Sequence, residues 1–106
     1  HTTAIVVLIT VDKKELADKI AETLVTENLA ACVNIVPQIE SVYRWEGKIC
    51  HDQELLLIVK TDLGCYLRLE AKVKELHTYT SPEIIALPIT RGSVGYLSWV
   101  KSTLNL

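Results

Sequence analysis

The run Ala4-Ile5-Val6-Val7-Leu8-Ile9-Thr10-Val11 is apolar and largely β-branched, the pattern of a central strand covered on both faces. Beyond it the period lengthens. Leu16, Ala17, Ile20, Ala21 and Leu24 return to one face at helical spacing, and the small alanines would let that helix lie close to a sheet. Asp12 stands three residues before Glu15, a capping-box-like spacing that predicts a helix start with Asp12 accepting from a free backbone N–H, and an end near Asn28.

Two stretches rich in strand formers follow, Leu29 through Pro37 to Trp45 and Lys48 through Glu54 to Thr61, joined at Glu46-Gly47. Each reads as a strand of about a dozen residues, whereas typical strands run to about five or six. Pro37 cannot donate to a central ladder and predicts a bulge or break. Gly47 can supply a positive φ, which suits a tight two-residue turn or a type I turn with a glycine bulge.

A second helix is predicted from about Leu63 to Leu76, with Tyr66, Leu69, Val73 and Leu76 inward and Arg68, Glu70, Lys72, Lys74 and Glu75 outward. Thr78 to Pro82 is a connector, Glu83 to Pro88 reads as a buried strand ended by its proline, and Thr90 to Ser93 leads into a last helix carrying Leu97, Val100 and Leu104. The order β-α-β-β-α-β plus a C-terminal helix is that of an α+β, ferredoxin-like sandwich with an extended central hairpin. Such a sheet has one face without helices, and the hairpin outgrows it. Both features call for identical neighbours.

Composition narrows the classes. The chain has 106 residues, 49% hydrophobic and 23% charged, which makes residues 1–106 a single packed domain. A net charge of −2 gives no basic footprint for nucleic acid. Cys32, Cys50 and Cys65 are odd in number and lack Cys-x-x-Cys spacing, which argues against a disulfide framework or zinc knuckle and for a reducing, cytoplasmic setting. The longest apolar runs, Ala4 to Ile9 and Leu55 to Val59, fall far short of the ~20 residues of a membrane helix. The chain opens at His1 rather than Met, which leaves room for a removed targeting segment.

Several stretches together resemble the CutA family, named for tolerance of divalent cations. They are Leu29-Ala30-Ala31-Cys32-Val33-Asn34, Trp45-Glu46-Gly47-Lys48, Ile58-Val59-Lys60-Thr61, His77-Thr78-Tyr79, Pro82-Glu83-Ile84-Ile85-Ala86-Leu87-Pro88 and Tyr96-Leu97-Ser98-Trp99. The resemblance implies a ferredoxin-like subunit in a tight homotrimer whose long hairpins exchange strand pairing. It also implies a role in tolerance of copper and other divalent metals for bacterial members, and in the folding or membrane anchoring of acetylcholinesterase for animal members. The copper site that the family implies joins a cysteine late in the first strand to two adjacent histidines after the second helix. Those positions here are Ile9 and Leu76-His77, so only His77 carries over.

No nucleophile with its base stands out. Cys50 and His51 are strand neighbours whose side chains should point to opposite faces, which disfavours a dyad and an enzyme. Cys32 and Cys65 read as small core residues as readily as ligands. His77, at the end of a helix and near Tyr79 and Glu83, is a candidate contact for a divalent metal, with a C-terminal cap as its structural alternative. Lys60 closes an apolar strand, where its ammonium must reach solvent or find a carboxylate or anion. Glu54, Tyr79, Glu83 and Trp45 are candidates to share a polar cleft with it between subunits. Arg91-Gly92-Ser93 could offer free N–H groups to an anion, although Ser93 also suits a simple cap.

The expected protein is a non-enzymatic homotrimer that binds divalent cations, copper first, or a small anionic ligand at inter-subunit clefts, with metal not required for folding. A PII-like trimeric signalling module and a scaffold that assists another protein are the alternatives.

Overall fold

The computed structural model describes residues 2–106; His1, on which the expectation of an upstream leader turns, lies outside the described residues. The described chain runs β1 (Ala4–Val11), α1 (Lys14–Thr26), β2 (Cys32–Trp45), β3 (Lys48–Asp62), a 3-10 turn (Leu63–Cys65), α2 (Tyr66–Leu76), β4 (Ile84–Pro88) and α3 (Val94–Thr103). The strands form one antiparallel sheet in the order β2-β3-β1-β4. This is the expected ferredoxin-like order with an oversized hairpin.

Strand alternation sets two faces. Ile5, Val7, Ile9 and Val11 of β1 and Leu57 and Val59 of β3 are buried beneath Ala17, Ile20 and Leu24 of α1 and Leu69 and Val73 of α2. The opposite face carries Val6, Leu8 and Thr10 beside Leu56, Ile58 and Lys60. α3 packs against β3 and β1, with Tyr96 beside Cys32 and with Val100 and Leu104 closing a small cluster on Ala31 and Cys65. The second face is therefore partly covered by α3, not bare of helices as the element order suggested. Ile85 and Leu87 of β4 stay half exposed.

Two local expectations need correction. Asp12 does not cap α1, whose N-cap is Lys13 in an extended conformation with no side-chain cap. Glu15 still lies in the first turn, where the helix dipole favours it. The Glu83 to Pro88 stretch is an edge strand and largely exposed, because β4 pairs only with β1 and the helices pack over the sheet centre.

Other local signals hold. Asn28 adopts φ 57° while Asn28 N–H bonds Val25 O and Leu29 N–H bonds Leu24 O, the paired closure of a Schellman motif. Ser93 Oγ accepts from Tyr96 N–H as the cap of α3. The hairpin is longer than its sequence signal, with 14 residues in β2 and 15 in β3. Glu46 and Gly47 both have positive φ, 49° and 78°, and connect the pair Trp45 and Lys48, the mark of a two-residue type I′ turn. Pro37 falls in a bulge, for the register moves between Val36 and Ile39 and Gln38 turns to φ 57°. The hairpin contributes to an elongated shape of 44 × 25 × 22 Å.

Candidate functional site

The bulge at Pro37 and Gln38 separates the sheet-embedded part of β2 from the free hairpin. Beyond it, alternation puts Ser41, Tyr43 and Trp45 on the same side as Asp52 and Glu54, the side that also presents Thr10. The connector from Thr78 to Glu83 passes over this side. Together they enclose an open cleft of about 770 Å³ lined by Thr10, Tyr43, Trp45, Glu54, Tyr79 and Glu83, with hydroxyl side chains between them.

Hydrogen bonds fix the walls. Tyr79 Oη donates to Glu54 Oε2 at 2.8 Å, tying the connector to β3. Tyr43 Oη donates to Asp52 across the hairpin. Burial, then the Glu54 hydrogen bond, hold the Tyr79 phenol well above its ordinary value of 10.0. The Asp52 hydrogen bond, with burial second, pushes Tyr43 up to about 12. Both phenols keep their protons throughout the physiological range.

His77 sits behind the cleft. Its Nε2 bonds the Thr10 carbonyl oxygen at 2.8 Å, so that nitrogen carries the proton, while Nδ1 accepts the Tyr79 N–H at 3.1 Å. The ring is buried and lies 4.5 Å from the Tyr79 ring, centroid to centroid. Both nitrogens are thus committed to backbone partners, and a metal would have to displace one of them. Nor does the ring bond the last helix carbonyls, because it reaches across to β1. The helix end is closed instead by the His77 backbone N–H on Val73 O, at 2.8 Å.

Of the residues singled out in the sequence, Trp45, Glu54, Tyr79 and Glu83 meet in the cleft. Lys60 does not join them. Its ammonium bonds Asn34 Oδ1 and the Ile58 carbonyl, and its register partner is Val6 rather than the connector. Thr10 and Tyr43 were missed; a period-two reading from Trp45 back to Tyr43 would have found the second. Among the described residues the cleft lining holds no Lys, Arg or His, and no group of three or more His, Cys, Asp and Glu is arranged to hold a metal ion. The position corresponding to the implied copper-binding cysteine is Ile9, fully buried in the core. The donors in one chain therefore do not fit a tight copper site. Cys50 and His51 make separate contacts, His51 Nδ1 lying 3.3 Å from Glu40 Oε2 on the exposed hairpin.

An antiparallel β2-β3-β1-β4 sheet with helices α1 and α2 on one face and an overgrown β2–β3 hairpin defines the class, an α+β ferredoxin-like subunit. Residues 5–103 match the family model described as CutA1 divalent ion tolerance protein, and the chain belongs to that family. The divalent-cation tolerance protein CutA of Thermus thermophilus is 56% identical over 96 residues, spanning 91% of this chain and 93% of that protein. The chloroplastic protein CutA of Arabidopsis thaliana is 53% identical over 100 residues, 94% of this chain but 55% of its own length, so the chain spans about half of that plant relative. The solved structure of the Thermus thermophilus divalent cation tolerance protein superposes with a TM-score of 0.93 at 54% identity, covering 94% of this chain and 97% of its own. Among the described residues no helix is long and apolar enough to cross a membrane.

Proposed function

We propose that this chain serves divalent-cation tolerance in the cytoplasm without catalysing a reaction, as a homotrimer whose cleft between hairpin and connector binds a divalent cation or a small ligand. The observation that supports it is the convergence of Trp45, Glu54, Tyr79 and Glu83 from three separate stretches of chain on one open cleft. The hairpin walls are exposed apolar surface in a single chain, so a neighbouring subunit is the natural source of further donors.

Copper(II) is the first cation to test, since it heads the stability order at nitrogen and oxygen donors. Glu54 and Glu83 are the carboxylates it would meet in the cleft, while His77 acts as a brace that positions Tyr79. A small anionic ligand is the weaker choice for this cleft, because the cation expected to attract it, Lys60, is held elsewhere.

The test joins sedimentation equilibrium to calorimetric titration with copper(II). Three chains per particle are expected, with weak saturable binding that fades in Glu54→Gln/Glu83→Gln and persists in His77→Ala. A monodisperse monomer at micromolar concentration, or binding indifferent to both carboxylates, would overturn the proposal.

A further inference from the structure

We infer that the cleft is built to take a small organic ammonium ion. The inference rests on the cleft being the binding site and adds the chemistry of its occupant. Three aromatic rings, Trp45, Tyr43 and Tyr79, stand in its walls together with the carboxylates Glu54 and Glu83. An ammonium is drawn to ring faces within about 6 Å by their quadrupole, most strongly to Trp, and the attraction grows when the ion is partly desolvated.

The charge pattern points the same way. Among the described residues the lining contributes two carboxylates and no cationic side chain, so an anion would enter against uncompensated negative charge. The tyrosine hydroxyls cannot help an anion, because each donates its proton to a carboxylate, Tyr43 to Asp52 and Tyr79 to Glu54. With their protons so engaged, the phenol oxygens can only accept, and donation to a carboxylate leaves the rings richer in electrons. Both effects favour a cation.

Geometry separates an ammonium from a bare metal ion. Metal ions need several donors converging at about 2.0–2.6 Å, and no such group is gathered within one chain among the described residues. A methylated or primary ammonium spreads its charge over a larger volume and needs ring faces and nearby negative charge rather than direct ligation. An open space of about 770 Å³ accommodates such an ion with part of its hydration shell.

The experiment is an NMR titration of the ¹⁵N-labelled protein with tetramethylammonium chloride, following the Trp45 indole and the amides of residues 78–81. Sodium chloride and neutral tert-butanol serve as controls. Saturable shifts confined to the cleft are expected with tetramethylammonium alone, about tenfold weaker in Trp45→Ala and Glu83→Gln and retained in Trp45→Phe. Glu83 is exposed, so its variant tests the idea even if Trp45→Ala disturbs assembly. Non-saturating shifts, equal shifts with tert-butanol, or unchanged affinity in Glu83→Gln would overturn it. Copper(II) added to a parallel sample separates the two proposals: broadening near Glu54 and Glu83 without a tetramethylammonium response sinks this inference alone, and no response to either ion sinks both.

Discussion

The two halves of the hairpin obey different rules although they share the same strands. Below the bulge, Leu57 and Val59 are fully buried under α1 and α2. Above it, Val42 and Ile49 are each 58% exposed and Trp45 is 64% exposed, with only the polar residues His51, Arg44 and Lys48 opposite them across the hairpin. A small domain cannot afford this much exposed apolar area unless another surface covers it. The lower half thus belongs to the subunit core, and the upper half leaves its apolar surface uncovered within one chain.

The sharpest way to break that contrast is to cut the lower half. Ile20→Ala removes a fully buried side chain between helix and sheet and is expected to cost about 2–5 kcal/mol in urea unfolding. Ile49→Ala, on the hairpin, should change the stability of a dissociated subunit by no more than about 0.5 kcal/mol. Equal losses at the two sites would mean that the hairpin is already part of the subunit core.

Next in size is the effect of Trp45→Ala on assembly. Burying such a ring contributes about 2–3 kcal/mol by area, and aromatic anchors commonly dominate interfaces. Melting should become more dependent on protein concentration while the fold of the subunit persists. Unchanged melting and mass would leave Trp45 as a ligand wall only.

The third effect lies in the brace behind the cleft, where His77 joins β1 to the connector. His77→Ala leaves the Thr10 carbonyl without its buried partner and frees the Tyr79 N–H, an expected loss of about 1–3 kcal/mol. Hydrogen exchange should rise locally at residues 78–81. If exchange there is unchanged, the connector is held by Tyr79 and Glu54 without help from the imidazole.

The sequence made the lower half far more legible than the upper. A continuous apolar run located β1 and helical periodicity located α1 and α2, and Pro37 and Gly47 betrayed the bulge and the turn through backbone constraints that no neighbour can relax. The capping box at Asp12 misled because its spacing is shared by many non-capping sequences, and Lys13 took the position. β4 looked buried because Ile84 to Leu87 are apolar, yet apolar character does not tell a central strand from an edge that awaits a partner. Trp45, Glu54, Tyr79 and Glu83, singled out by residue type, line one cleft. Lys60 was misplaced because its contact with Asn34 is set by cross-strand geometry, which sequence spacing over 26 positions does not encode.

The smallest expected effect tests whether the connector stays tied to the hairpin. Tyr79→Phe removes the hydroxyl that donates to Glu54 and should cost about 1 kcal/mol near neutral pH. Its signature lies at high pH. The phenol has a folded value raised above the ordinary 10.0, so its contribution is complete below pH 10 and is lost as pH climbs toward the folded value, because the unfolded chain releases the proton first. Wild type should therefore lose stability more steeply than Tyr79→Phe once the pH passes 10, and its phenolate absorbance should lag behind that of the unfolded chain. Tyr43 carries the same sign but lies on the exposed hairpin. Subtracting the Phe variant isolates Tyr79 from it. Parallel alkaline slopes in the two proteins would show that the Tyr79 to Glu54 bond does not persist in solution, and the cleft would lose the tie that joins its two walls.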